Sequence, residues 1–287
     1  MTESFPLSDP IWCAGCGHFA VVAGLEAALA RCGVAREDVL VVAGIGCSGT
    51  LQNYVEANGY HALHGRVLPT AAGAKLANPD LCVVGAGGDG DGLAIGVGHL
   101  VHAFRTNPSV VYLLMNNGTY GLTKGQPSPT SQADYSGARD EPVDPIKLGL
   151  AFPNSSFLAR GYSGAPDQLA ALTSAAITHA ADGRGFAFLE ILSPCVAYND
   201  RYTEWPSRIV NVDDDSSYDP ADPFAAGRMV EEQTAAGKMP SGLIFQRERS
   251  DAPGEAPPSP AGADIGLQSR ESDYAALMAT FQVRADA

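Results

Sequence analysis

A doubly wound α/β fold with a mostly parallel sheet is predicted by three observations. Apolar runs such as Leu81-Cys82-Val83-Val84-Gly85 and Val110-Val111-Tyr112-Leu113-Leu114-Met115 are continuous rather than alternating, the pattern of strands buried on both faces. The stretch between them, Gly92 to Arg105, has helical length and periodicity. The runs also close on glycines, acids and amides, and open α/β sheets bind ligands beyond the carboxyl ends of their strands.

The elements follow in order. Residues 1–12 read as irregular and lead into Cys13-Ala14-Gly15-Cys16-Gly17-His18, after which Phe19 to Arg31 is a small-residue helix stopped by Gly33. Val39 to Ala43 is the first buried strand and ends at Gly44-Ile45-Gly46-Cys47-Ser48-Gly49. A loop carries His61, His64, Gly65 and Arg66, and a helix begins over Thr70 to Leu76. The strand–helix–strand unit comes next. Tyr120 to Thr130 is too rich in Gly and Pro for regular structure and reads as an active-site loop. A short strand at Phe157–Arg160, a helix at Pro166–Ala181 and a core strand at Phe186–Leu192 complete a domain assigned to residues 1–205. Residues 206–287 read as an irregular C-terminal extension. Asp213-Asp214-Asp215 is a solvated loop there, 250–266 a Pro/Ala/Gly-rich linker, and Ser272 to Phe281 a short amphipathic helix.

Composition narrows the class. Of 287 residues 45% are hydrophobic and only 17% charged, which implies a large core and an outer surface partly covered by other subunits. A formal net charge of −14 argues against nucleic acid and anionic membrane as partners. No apolar stretch is long enough to span a bilayer, and Met-Thr-Glu-Ser lacks a basic-then-apolar signal region. A cytoplasmic location is therefore expected.

The chemistry begins at Gly88-Asp89-Gly90, followed about 25 residues later by Asn116-Asn117. Both motifs fall at the same edge of the sheet. An acid, an amide and glycines that admit phosphate oxygens to the backbone suit a magnesium diphosphate, because Mg2+ takes few protein ligands and the rest from phosphate and water. A Gly-Asp-Gly alone is weak evidence, and Asn117 before Gly118 also suits a turn. The combination resembles the thiamine diphosphate motif.

Six cysteines are present. Cys13, Cys16, Cys47 and Cys195 sit where such a fold puts loops and can converge, whereas Cys32 at a helix end and Cys82 inside a strand read as small buried hydrophobes. Four convergent thiols suit a [4Fe–4S] cluster, a zinc ion or a reactive dithiol, and the spacing leaves all three open.

Taken together, Trp12-Cys13-Ala14-Gly15-Cys16-Gly17-His18, Gly44 to Gly49, His64-Gly65-Arg66, Gly88-Asp89-Gly90-Asp91, Asn116-Asn117 and Tyr120 to Gln126 resemble the β subunit of 2-oxoacid:ferredoxin oxidoreductases, in particular the two-subunit 2-oxoglutarate type. The resemblance covers about residues 10–205. It implies a pyrophosphate-type domain holding thiamine diphosphate, Mg2+ and one [4Fe–4S] cluster. By the same resemblance the cluster ligands are Cys13, Cys16, Cys47 and Cys195, and the Mg2+ ligands are Asp89, Asn117 and the Thr119 carbonyl. Gly46, Cys47, Ser48, His64, Gly65, Gly88, Asp89, Gly90, Asp91, Asn117, Thr119, Tyr120, Gly121, Leu122 and Thr123 fall in its cofactor-binding segments. Lys124 matches a position facing the substrate, beside an alternative as a solvated lysine.

His64 suits proton transfer and Arg66 suits binding a carboxylate, each weighed evenly against a structural role. His18 is expected to cap or pack, and His99 and His102 to pack on their helix. The implied reaction is reversible oxidative decarboxylation of 2-oxoglutarate with coenzyme A to succinyl-CoA and CO2, with electrons passing to ferredoxin. The chain has room only for the diphosphate half, so an α subunit supplies the pyrimidine half, as αβ or (αβ)2. Pyruvate or broad 2-oxoacid specificity is the nearer alternative. A non-redox decarboxylase half or a non-catalytic metal- or nucleotide-binding module are the farther ones.

Overall fold

A computed structural model describes residues 7–247. In chain order it comprises α1 (His18–Cys32), β1 (Val39–Ala43), β2 (Asn58–His61), α2 (Val67–Ala77), β3 (Cys82–Gly88), α3 (Val97–Thr106), β4 (Val111–Asn116), α4 (Pro145–Leu150), β5 (Phe157–Tyr162), α5 (Pro166–Ala181), β6 (Ala187–Leu192), α6 (Trp205–Arg208), β7 (Ile209–Asn211), α7 (Pro223–Ala235) and β8 (Met239–Gln246). The sheet order is β2-β1-β3-β4-β6-β5-β8-β7. All neighbours run parallel except β5 and β8.

The period of two along each strand divides the core into two layers. Val111, Leu113 and Met115 of β4 pack with Leu25 of α1 and Leu169 and Ile177 of α5. Tyr112 and Leu114 point the other way and pack with Leu68 of α2, Leu100 and Phe104 of α3, and Val230 of α7. Every residue of β4, β5 and β6 is buried, which is why these strands read as largely apolar runs, interrupted by the charged Arg160 and Glu190. Cys32 and Cys82 pack against the first layer, as expected of small hydrophobes. No helix among the described residues is long and apolar enough to cross a membrane.

Three expectations are revised. The helix after Gly92 opens with a π-helical turn, Asp91–Ile95, before α3 begins. His99 and His102 do not pack against the core: His102 is exposed and His99 half-buried on the outer side of α3. The sheet also does not stop at residue 205, because β8 pairs antiparallel with β5 and α7 covers it. Pro240 and Gly242 break the apolar pattern of β8, and Gly242 stands at φ +111 with Asp213 where a side chain would project. The linker expected over 250–266 and the helix expected over Ser272 to Phe281 lie outside the described residues.

One buried histidine makes the fold sensitive to acid. His179 of α5 is fully buried, with Nε2 2.9 Å from the Ser156 hydroxyl. Burial, aided by Arg184, lowers its pKa to about 4. It is neutral in the fold and takes up a proton on unfolding below its ordinary value, so stability is lost as pH falls through that window and the loss levels off near pH 4. The expected contribution is about 3 kcal/mol. Urea midpoints at pH 7 and pH 4.5 should converge between wild type and His179→Gln as pH falls; a constant difference would show that another group dominates.

Candidate active site

The carboxyl ends of β1, β3 and β4 and the loops that follow them enclose a cavity of about 240 Å³. Its wall includes the Ile45–Ser48 turn after β1, the Gly88–Asp91 turn after β3, and Asn117 with Thr119–Thr123 after β4. Glycine is required where the walls approach most closely: a Cβ on Gly90 would lie 2.2 Å from the Tyr120 ring, and one on Gly44 2.2 Å from Asp91 Oδ2. The sequence motifs therefore meet because each occupies a strand end on one edge of one sheet.

Asp89 is 1% exposed. Its Oδ2 accepts from the Ser128 hydroxyl and, at 2.6 Å, from Thr130 Oγ1. Burial raises its pKa while these two bonds oppose the shift. Asn116 and Asn117 differ in role. Asn117 lines the cavity, and its Oδ1 accepts from the Thr119 amide at 3.1 Å, so the turn function and the cavity position coexist. Asn199 Nδ2 donates to its carbonyl at 2.8 Å. Asn116 faces the other way, with Nδ2 2.7 Å from Glu190 Oε1.

Asp91 also lines the cavity, but its Oδ1 is committed to three donors. These are the Ile45 amide (3.1 Å), the Gly65 amide (2.8 Å) and His64 Nδ1 (2.8 Å). That carboxylate ties the His64 loop to the β1 turn and orients the imidazole, whose ring forms part of the cavity wall. Arg66 and Lys124 do not line the cavity. Arg66 Nη1 donates to the Gly65 carbonyl. Lys124 is exposed and held at φ 76, a left-handed conformation uncommon for a residue with a side chain.

The four loop cysteines are free thiols at the same end of the sheet. Burial pushes the Cys16 thiol up to about 11, and Cys195, Cys47 and Cys13 each add to the shift. Cys47 is raised by burial and by Cys195 and Cys13. The sulfurs of Cys195 and Cys47 and the amide of Asn117 all surround Gly121, 3.6, 3.7 and 3.8 Å from where its Cβ would be. Among the described residues no three or more His, Cys, Asp or Glu side chains are gathered to hold a single metal ion.

Sequence reasoning missed several residues. His18, expected to cap or pack ahead of any functional role, is 1% exposed, lines the cavity and bonds Ser193 Oγ through Nδ1 at 2.7 Å. Burial lowers its pKa to about 4. Its position directly after the second cysteine, at a helix start, was the available signal. Ser128 and Thr130 fall inside the loop read as an active-site loop, but nothing in the sequence singled out their hydroxyls, because a hydroxyl in a Ser/Pro/Thr loop is ordinary.

Residues 44–191 match the C-terminal TPP binding domain of thiamine pyrophosphate enzymes. The fold and the strand-end cavity thus define a thiamine diphosphate-binding domain. The chain is 37% identical over 254 residues to the 2-oxoacid:ferredoxin oxidoreductase subunit beta of Saccharolobus solfataricus, covering 83% of this chain and 82% of that one. It is 42% identical over 218 residues to subunit beta of 2-oxoacid:ferredoxin oxidoreductase 2 of Aeropyrum pernix, covering 73% and 69%. A solved 2-oxoglutarate:ferredoxin oxidoreductase from Magnetococcus marinus, with 2-oxoglutarate, coenzyme A and succinyl-CoA bound, superposes with a TM-score of 0.80 at 32% identity. That match covers 98% of this chain and 95% of the other. The chain belongs to the β subunits of the 2-oxoacid:ferredoxin oxidoreductases.

Proposed function

We propose that the chain, with an α subunit, carries out the oxidative decarboxylation of 2-oxoglutarate with coenzyme A to succinyl-CoA and CO2 while reducing ferredoxin. The observation that carries this reading is the surround of Gly121, where two of the four thiols and the amide of the diphosphate motif meet. Cys47 belongs to both groups, since it also lines the cavity. The choice of 2-oxoglutarate is supported by the ligands bound to the Magnetococcus enzyme.

Asp89, Asn117 and the Thr119 carbonyl hold Mg2+, and the glycines of the Gly88–Asp91 turn admit the diphosphate. Cys13, Cys16, Cys47 and Cys195 hold a [4Fe–4S] cluster. Thiolates of a cubane each bind a different iron, so they need not converge on one point as they would around tetrahedral zinc. When bound, thiamine diphosphate supplies the electron sink for decarboxylation and the cluster takes up single electrons.

The chain's own residues do the rest. His64, oriented by Asp91, is placed to hold or move a proton at Nε2. Lys124 and Arg66 adjoin residues of the cavity wall and meet a substrate carboxylate at its mouth. Ile45 and Leu122 line the cavity yet are 38% and 53% exposed, and Leu63 beside His64 is 79% exposed. Apolar side chains left uncovered around a polar site suit the α subunit.

The test is reduction of ferredoxin or viologen by the anaerobically purified αβ complex with coenzyme A. The rate should be higher with 2-oxoglutarate than with pyruvate, and the complex should carry about four iron and four sulfide per β chain. Cys47→Ser should lose iron and electron transfer while keeping the fold. Equal rates on the two oxoacids would make the enzyme a broad one. A colourless complex with stoichiometric zinc would overturn the redox reading.

A further inference from the structure

Ser128 and Thr130 lie about 40 residues from Asp89 in sequence, in a loop with no motif of its own, yet both hydroxyls bond one oxygen of its carboxylate, Oδ2. Thr130 Oγ1 is also 2.8 Å from Asn116 Oδ1. Asn116 Nδ2 donates to Glu190 Oε1, and Glu190 Oε2 accepts from Arg160 Nε at 2.7 Å. Arg160 Nη2 reaches Asp144 Oδ1 at 2.8 Å. Thr130, Asn116, Glu190 and Arg160 are each no more than 6% exposed. The carboxylate is thus the end of a chain of buried polar contacts that crosses β4, β6 and β5 and finishes at the N-cap of α4.

We infer that Ser128 and Thr130 are positioning residues that occupy Asp89 Oδ2 and reserve Oδ1 for the metal ion, making Asp89 a one-oxygen ligand, while Asn116 contacts Thr130 and not Asp89 itself. The inference rests on Asp89 being a Mg2+ ligand, as proposed above. A small octahedral ion bound largely by phosphate and water tolerates little error in its protein ligands, and outer partners that fix a ligand's orientation typically account for 10- to 100-fold in metal affinity. The first asparagine of the pair is then the hub of this shell rather than a ligand. Its Oδ1 also accepts from the Gly118 amide at 3.0 Å, so the same residue sets the turn that presents Asn117.

The test is equilibrium dialysis of Mn2+, as the probe for Mg2+, against the αβ complex with thiamine diphosphate present. Thr130→Val keeps the shape and removes the hydroxyl. It should weaken Mn2+ binding about 10- to 100-fold while the far-ultraviolet spectrum and iron content stay unchanged. Thr130→Ser should restore binding, a rescue that a packing role would not produce. Ser128→Ala, at a half-buried site, gives the same readout should Thr130→Val fold poorly, and should also weaken binding. Mn2+ affinity in both variants within twofold of wild type, alongside a large loss in Asp89→Asn, would overturn the inference and leave the ligand assignment standing. Wild type and Asp89→Asn binding Mn2+ equally would overturn the ligand assignment and the inference with it.

Discussion

Asp89→Ala is expected to weaken thiamine diphosphate binding by about 100-fold or more, abolish ferredoxin reduction and leave the iron content unchanged. Two carboxylates line the cavity, and they are not equivalent. Asp91 spends Oδ1 on three donors that hold loops together, while Asp89 accepts from two side-chain hydroxyls, both on Oδ2, and the backbone amides of Asn117 and Asp89 also favour its carboxylate. Asp91 Oδ2 has no hydrogen-bond partner among the described residues but is buried against Gly44 and Gly87, so Asp89 is the carboxylate we assign to the cation that neutralises the diphosphate. On the proposed assignment Asp89 is the one anionic ligand, and its removal should exceed the 10- to 100-fold typical of losing an outer partner. Burial already strains Asp89 towards its protonated form, so the cofactor-free variant should be no less stable than the wild type. Protons compete with the metal at this carboxylate, so cofactor affinity should fall as pH drops towards its raised pKa. Calorimetric titration with thiamine diphosphate and Mg2+ measures the first effect and iron analysis the control. An affinity within threefold of wild type would show that Asp89 is not the metal ligand.

The residues that carry this expectation were legible because they sit at the ends of strands buried on both faces. Leu81–Gly85 and Val110–Met115 announce themselves as continuous apolar runs, and the polar residues that interrupt them fall at one edge of the sheet. Cys47 and Cys195 were legible for the same reason, and Cys13 and Cys16 by their Cys-x-x-Cys spacing ahead of α1. Less legible were elements whose burial is one-sided or slight. β2, Asn-Gly-Tyr-His, is exposed throughout and is held by pairing with β1 and by Asn58 Nδ2, which donates to the Glu37 and Val39 carbonyls. In β8 a proline and a left-handed glycine mask the pattern. The loop that carries the hydroxyls on Asp89 was legible as an active-site loop, but their partner was not, since which loop residue meets which strand end is decided by tertiary packing. One signal was present and unused: Arg160 and Glu190 are charged residues inside otherwise apolar runs, and such residues are almost never buried unless paired.

That pair gives the largest expected effect on stability. Arg160→Met should destabilise the chain by about 3–5 kcal/mol, because it leaves Glu190 buried without its counter-charge. Arg160 is 5% exposed and Glu190 1%, and Nε lies 2.7 Å from Oε2. Asp144 stands apart from the problem, since it also caps α4 through the Ile146 and Lys147 amides and reaches solvent. Burial pushes the Glu190 carboxyl up even with Arg160 beside it, and without Arg160 it should rise further and hold its proton in the fold. A group whose folded pKa lies above its unfolded one loses stability as pH rises, so the deficit of Arg160→Met should be greater at pH 8 than at pH 5.5. Adding Glu190→Gln removes the stranded charge and keeps an acceptor for Asn116 Nδ2. The double variant should therefore recover much of the loss and its deficit should lose the pH dependence. Urea midpoints of wild type, Arg160→Met, Glu190→Gln and the double variant at the two pH values decide this. A single variant whose deficit is independent of pH, or a double variant no better than the single, would mean that lost packing of the long Arg160 side chain, and not the stranded carboxylate, is what the fold feels.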